Sequence, residues 1–303
     1  PPSEDVSQPN PPGPAEDVGV VPDTSAVAPI PMGDCDIASS ANTAQKEALQ
    51  RTNWYRVNSG LDCVNMVATV NDSSQAHAHY YEIHKSAYDA NKIPGGAHSE
   101  DPSYSEGFTG VSFADRMKAA GYTGQPGFEV IAFLNNPTAA VDSWVETVYH
   151  RIPFLSPDMV DTGYGRGSGG ASIDVMNFGR HNAGDKNLIV VYPWDGQESV
   201  PRSWNGLEWP KPQPPPDGYP SGPVITVHTA SGVKLEIDEH ILKHPNGAEL
   251  PHVWLPKGSD NFLSATWAMY SYQPLEPTTK YRVTMRGTFK GQPWEKTWSF
   301  TTK

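Results

Sequence analysis

At 303 residues the chain is long enough for two ordinary domains, each with a core of its own. It carries 22 Lys and Arg against 34 Asp and Glu, a formal net charge of −12; such a surface repels phosphate backbones and argues against nucleic acid as a partner. No stretch approaches the about 18 apolar residues of a membrane-spanning helix, and 27 Gly with 30 Pro favour turns, linkers and strands over long charged helices.

Residues 1–34 are rich in Pro, acidic and small residues and lack aromatics, so they cannot repay the entropy of ordering and are expected to form a disordered tether. A first residue that is Pro1 rather than Met carries the expectation of an export signal already removed, with the question of a lipid on the mature N-terminus left open. Cys35 and Cys63 flank the first predicted helix. In an exported protein a bridge between them is the economical reading, the alternative being two unrelated buried thiols; neither their number nor their spacing suggests a thiolate metal site.

The first helix begins near Ala41, with Ala44, Leu49, Trp54 and Val57 at roughly helical spacing, and stops at Gly60. A second is expected after Asp72 or Ser73 as N-cap, running through SQAHAHYYEIHKSAYDAN. A third has Ser112 as its cap, Asp115 at the capping-box position and Gly121 closing it. The fourth starts with Asn136 as cap and Pro137 at the first helical position, and its pattern continues through His150 and Arg151. Extended runs occupy 128–133, 172–179 and 187–193. Helices first and most strands later point to an α+β arrangement rather than a doubly wound sheet. The stretch 201–222 reads as a stiff Pro-rich linker, and beyond it VITVH, VKLEI, ATWAMYSY, KYRVTMRG and KTWSFTT alternate polar and apolar residues as a small all-β sandwich would, over 223–303.

Four features follow one another at spacings that local structure does not demand: AHSED at 97–101, PGFEVIAF at 126–133, WVETVYHR at 144–151 and the glycine-rich DTGYGRG at 161–167. In this order they resemble the CAP superfamily (cysteine-rich secretory, antigen 5 and pathogenesis-related 1 proteins), in particular its bacterial secreted branch. That pattern has a His after the second helix, a Gly-Glu-Asn strand start, Trp-x-x-Ser-x-x-His-Arg, a Pro turn and Gly-x-Gly. Here His98 matches the first His, Gly127 to Glu129 the Gly-Glu segment, Trp144 to Arg151 the Trp and His-Arg segment, and Asp161 to Gly165 the glycine turn. The chain departs from the pattern where Phe128 is inserted, where Val130 replaces the usual Asn, and where the second acidic position aligns with Thr147 while Glu146 lies one place off. The end of the chain, from the Pro-Leu-x-Pro-x-Thr-x-Tyr run to WSFTT, is similar to the Ig-like or fibronectin-like modules that follow exported bacterial CAP domains.

The resemblance implies a CAP-like three-layer α-β-α sandwich over 35–200, ahead of the 201–222 linker and the β-sandwich module at 223–303. It also implies a cleft of His98, Glu129, Glu146 or Thr147, and His150. Were 137–150 one helix, Glu146 and Thr147 would each share a face with His150. Neutral imidazoles suit a divalent metal such as zinc, so His98 and His150 are candidate metal ligands. The competing reading of His150 is a basic residue at a helix C-terminus, a role Arg151 alone could fill. His77, His79 and His84 read as surface or packing residues, the carboxylates of AHSED as loop solvation, and Trp194, Trp204 and Trp209 as packing of the linker, with stacking on sugar rings as the alternative. No Gly-x-Ser-x-Gly elbow or phosphate-cradling loop occurs. Without a nucleophile and dedicated base, the expected function is a non-catalytic extracellular module that binds a lipid, glycan or protein. The alternatives are a metal-dependent hydrolase with Glu129 as general base and a structural surface or matrix block. Oligomeric state is not legible.

Overall fold

A computed structural model describes residues 35–169, 172–182 and 184–303; the tether expected at 1–34 lies outside them. The described residues are α+β with three four-stranded sheets, and the chain divides into two compact units. The first takes the described residues up to Gln50, Val64–Asp142 and Asp161–Gly179; the second takes Arg51–Cys63, Ser143–Val160 and Arg180–Lys303. Cys35 and Cys63 are both disulfide-bonded and are the chain's two cysteines, so the expected bridge is present.

Helix α1 (Thr43–Asn58) opens with Asn42 and Gln45 exchanging side chain to backbone hydrogen bonds at 2.9 and 3.0 Å, and Gly60 at φ 83° lies just past its end. After the short β1 (Asn65–Met66), α2 (Ala68–Ile83) begins well before the expected cap at Asp72 or Ser73. The reason is the neighbouring strand. β3 (Asp161–Arg166) sits against α2 with two glycines facing the helix. A Cβ on Gly163 would lie 2.3 Å from the backbone of Val70 and Asn71, and one on Gly165 2.3 Å from Ser74 and Gln75. At that approach the polar residues of α2 bond to the strand: Asn71 Oδ1 accepts from Tyr164 N at 2.9 Å, and Ser74 Oγ reaches Gly163 O at 3.1 Å. What reads as a capping cluster in sequence is a buried polar seam within the helix. The Gly-x-Gly segment is accordingly a strand, not a turn; its glycines are required by contact.

The first unit continues with α3 (Lys85–Asp89), a 3-10 turn at Gly96–His98, α4 (Phe113–Ala119) with the expected Ser112–Asp115 capping box, and β2 (Gln125–Ala132). β4 (Asp174–Arg180) pairs antiparallel with β3, giving the sheet order β1-β3-β4-β2. Helix α5 (Pro137–Val145) is capped by Asn136 as expected, Ala139 N donating to its side chain at 2.9 Å, but ends five residues before His150. Among the described residues no helix is long and apolar enough to cross a membrane.

In the second unit, which also holds the end of α1, α6 (Ile152–Leu155) is a single turn, and Arg180–Lys303 carries two sheets. One is ordered β5 (Ile189–Tyr192), β7 (Ile225–Thr229), β10 (Thr266–Ser271), β9 (His252–Leu255); the other β6 (Gln197–Val200), β12 (Gln292–Thr302), β11 (Lys280–Phe289), β8 (Leu235–Lys243). Ile225, Val227, Trp267 and Met269 from the first meet Leu242, Val283, Trp298 and Phe300 from the second in one core. The expected boundaries at 200 and 222 therefore move. β5, read from sequence as part of the first domain, pairs with β7, and β6 pairs with β12. A continuous apolar run such as IVVY fits either a parallel or a sandwich core, so its pattern cannot assign it. Nor is 201–222 a free linker: Trp204 is buried, exchanges backbone hydrogen bonds with Ser221 at 3.0 Å, and packs edge-on against Tyr219 and Tyr270.

Replacing Gly163 with Ala is expected to destabilise the protein by about 2 kcal/mol or more, since the clash is with helix backbone rather than a movable side chain. Urea denaturation measures it; an unchanged midpoint would mean that α2 does not sit on β3 as described.

Candidate functional site

The expected site residues form two groups, one described in each unit. In the first unit, His98 and Glu129 meet: His98 Nδ1 lies 3.0 Å from Glu129 Oε1. His98 ends the 3-10 turn with its side chain 49% exposed, whereas that of Glu129, on β2, is 1% exposed. The carboxylate is held by a residue the sequence reading passes over. Arg116 Nη2, from α4, donates to both Glu129 oxygens at 2.9 and 2.7 Å and to the His98 carbonyl at 3.2 Å. Glu100 sits 3.8 Å from Arg116 Nε and accepts from the backbone of Thr109 and Gly110 at 2.7 and 3.3 Å. His77, fully buried on α2, turns Nδ1 to Glu100 at 3.0 Å and Nε2 to the Ala97 carbonyl at 2.8 Å. Both ring nitrogens thus face oxygen acceptors. Glu100 is a buried member of this network rather than the solvated loop residue expected. A buried Arg inside an amphipathic helix leaves no periodic signal, which is why Arg116 is invisible from sequence.

Burial by itself would raise the Glu129 carboxyl, but His77, Arg116 and the His98 hydrogen bond outweigh it and hold the group down to about 2. That decides its chemistry. A general base works best near the operating pH, and a carboxylate clamped by a guanidinium is a poor proton acceptor at neutrality. It is also a poor metal ligand, since binding a cation would mean surrendering Arg116 or placing two positive charges on one carboxylate.

The second group lies around Ser143–Val160 in the second unit. Helix α5 stops at Val145 because the next amides have a better acceptor than a helical carbonyl. Glu208, from the Pro-rich stretch, takes the backbone N–H groups of Val148, Tyr149 and His150 at 2.9, 2.6 and 2.9 Å, and His150 Nδ1 at 2.9 Å. His150 is therefore neither the helix cap nor the i+4 partner of Glu146. It is a half-buried ring oriented by a carboxylate that the sequence reading assigned to a linker. Thr147 is buried, its hydroxyl donating to the Trp144 carbonyl at 2.7 Å, and Glu146 is exposed. Arg151 goes inward: it bonds the Val145 and Val224 carbonyls and Thr226 Oγ1, and lies 4.3 Å over the Tyr192 ring. Arg56, at the end of α1, fixes the same segment through the Phe154, Ser156 and Met159 carbonyls. Burial lowers Arg56 to about 9 and Arg151 to about 10. Of the three tryptophans, Trp204 packs inward, Trp194 meets Trp54 edge-on at 5.2 Å, and Trp209 is exposed.

Each of His98 and His150 thus has Nδ1 held by a carboxylate, an arrangement that orients a ring. The carboxylates themselves are committed elsewhere, and among the described residues no group of three or more His, Cys, Asp or Glu could hold a metal ion. The expected His and Glu ligand set does not fit a zinc centre in which Glu129 is a ligand.

Two measurements bear on these groups. Glu129, depressed below the ordinary carboxylate value of 4.5, contributes stability that is present above that value and lost as pH falls through about 2. Urea titrations from pH 5 to 2 should show this loss in the native protein and not in Glu129→Gln, which at neutral pH should be less stable by about 3 kcal/mol because Arg116 loses the carboxylate that accepts both of its short ionic hydrogen bonds. Glu208→Gln should cost about 2–3 kcal/mol, as the amide nitrogen that replaces one carboxylate oxygen cannot accept and leaves at least the Val148 N–H facing a donor; a loss below about 0.5 kcal/mol would remove Glu208 as the organiser of this segment.

No family model and no curated protein matches the chain. Among solved structures it is similar to an outer surface protein from Borrelia burgdorferi, at 14% identity over 45% of this chain and 92% of that one, with a TM-score of 0.33. At that score neither fold nor function is transferred.

Proposed function

We propose that the chain is an exported protein of the CAP type, with a non-catalytic binding module of three-layer α-β-α character followed by an Ig-like or fibronectin-like β module. Support for export is the Cys35–Cys63 disulfide, which persists in oxidising compartments and is rare in the cytosol. Support for the family is the ordered run of AHSED, PGFEVIAF, WVETVYHR and DTGYGRG. The observation that carries the non-catalytic reading is the clamping of Glu129 by Arg116 and His98, which withdraws the one candidate general base. The partner class is a lipid, glycan or protein outside the cell, met by exposed His98 and the surface around it. A divalent metal, if the module takes one, would be held through imidazole nitrogens and not through Glu129.

Peptide and ester substrates incubated with the full chain, with and without Zn²⁺, test this. The expected result is no turnover that depends on His98 or Glu129. Zn²⁺-dependent hydrolysis that disappears in His98→Gln, an exposed position whose substitution spares the fold, would overturn the reading in favour of a hydrolase.

A further inference from the structure

The β-sandwich contains a histidine pair that neither the disulfide-linked region nor the candidate site uses. β8 and β9 are the last strands of their respective sheets, and each contributes one imidazole to the pair. His240 Nδ1 lies 2.8 Å from His252 Nε2, and His252 Nδ1 lies 2.8 Å from the Leu250 carbonyl. That carbonyl can only accept, so His252 carries its proton on Nδ1 and presents an Nε2 lone pair toward His240. The His240 ring is stacked on Trp254, centroids 4.1 Å apart and planes 15° from parallel, which fixes its orientation. Both rings are half-buried at the open edge of the sandwich, so an ion can reach them from solvent.

We propose that His240 and His252 form a two-imidazole site for a tetragonal transition-metal ion, Cu²⁺ or Ni²⁺, with water at the remaining positions. Binding moves the His240 proton from Nδ1 to Nε2, so that no proton is released and two lone pairs face one ion. The pair is already at the separation of two neighbouring ligands. With metal–nitrogen bonds of about 2.0 Å, cis ligands at a right angle sit about 2.8 Å apart, whereas tetrahedral ligands need about 3.3 Å. The observed 2.8 Å is the N–H···N hydrogen bond of the metal-free pair and equals the cis separation, so the two nitrogens need not move apart to share an ion, and the general affinity order of these ions places Cu²⁺ above Zn²⁺.

Cu²⁺ titration of the full chain, followed by tryptophan fluorescence and electron paramagnetic resonance, tests the site. Expected is a saturable component of one equivalent, with hyperfine coupling from two imidazole nitrogens and partial quenching that Trp254→Phe reduces while leaving the resonance signal. The component should vanish in His240→Gln and in His252→Gln, persist in the His98→Gln, His150→Gln double variant, and survive an equal concentration of Zn²⁺. Circular dichroism establishes that each variant is folded. An unchanged one-equivalent signal in folded His252→Gln, or no saturable component in the native chain, overturns the proposal.

Discussion

The closeness of α2 to β3 is the constraint on which the first unit depends. Helix backbone and strand backbone can meet only because Gly163 and Gly165 present no side chain where they touch. Contact at that distance would strand polar backbone groups away from water, and Asn71 and Ser74 on the helix bond to the strand at Tyr164 and Gly163. Asn177, opposite Gly163 in the next strand, extends the seam by donating to Ser74 Oγ at 3.0 Å. With α2 fixed in this register, His77, one turn beyond Ser74, is carried to the buried Glu100. The position of one carboxylate partner therefore follows from the absence of two Cβ atoms.

Buried charge sets the chemistry of both groups of candidate residues. Arg116 and Glu129 are each almost fully removed from water. A pair of that kind adds little net stability over an apolar packing, but separating it is costly because one charge remains unpaired. The carboxylate is thus fixed and ionised, suited to orienting His98 and unsuited to taking up a proton. In the second unit the same economy operates with partial charges. Three successive amides converge on Glu208, while Arg56 and Arg151 are satisfied by carbonyls. The segment from Trp144 to Met159 is held by ions bonded to backbone rather than by its own helix.

The β-sandwich is organised on ordinary apolar alternation, yet its edges are polar. Arg286 bridges Glu239 and Glu295 across neighbouring strands on the exposed face, and Glu236 and Asp238 lie along the edge strand β8, where charge opposes pairing with another chain. His240 sits on that edge strand and His252 on β9, the edge strand of the other sheet, which places two polar rings at the margin of the apolar core.

Local signals in the sequence determined those features that local chemistry governs. The capping pairs at Asn136 and Ser112 and the stops at Gly60 and Gly121 lie where they were expected, since caps and left-handed glycines involve residues within a few positions. The alternation of the C-terminal strands marked a sandwich, and the motif order brought His98 and Glu129 to one place. Only the tertiary structure decided the rest. Polar residues at 71–74 look like a cap until a glycine-faced strand gives them backbone partners. The IVVY run carries no mark of which sheet it joins. The end of α5 and the role of His150 were set by Glu208, which lies 58 residues beyond His150 in a proline-rich stretch that composition marked as a linker. A carboxylate that far along the chain competes with a helical carbonyl only once folding has brought the two together, and no local pattern encodes that.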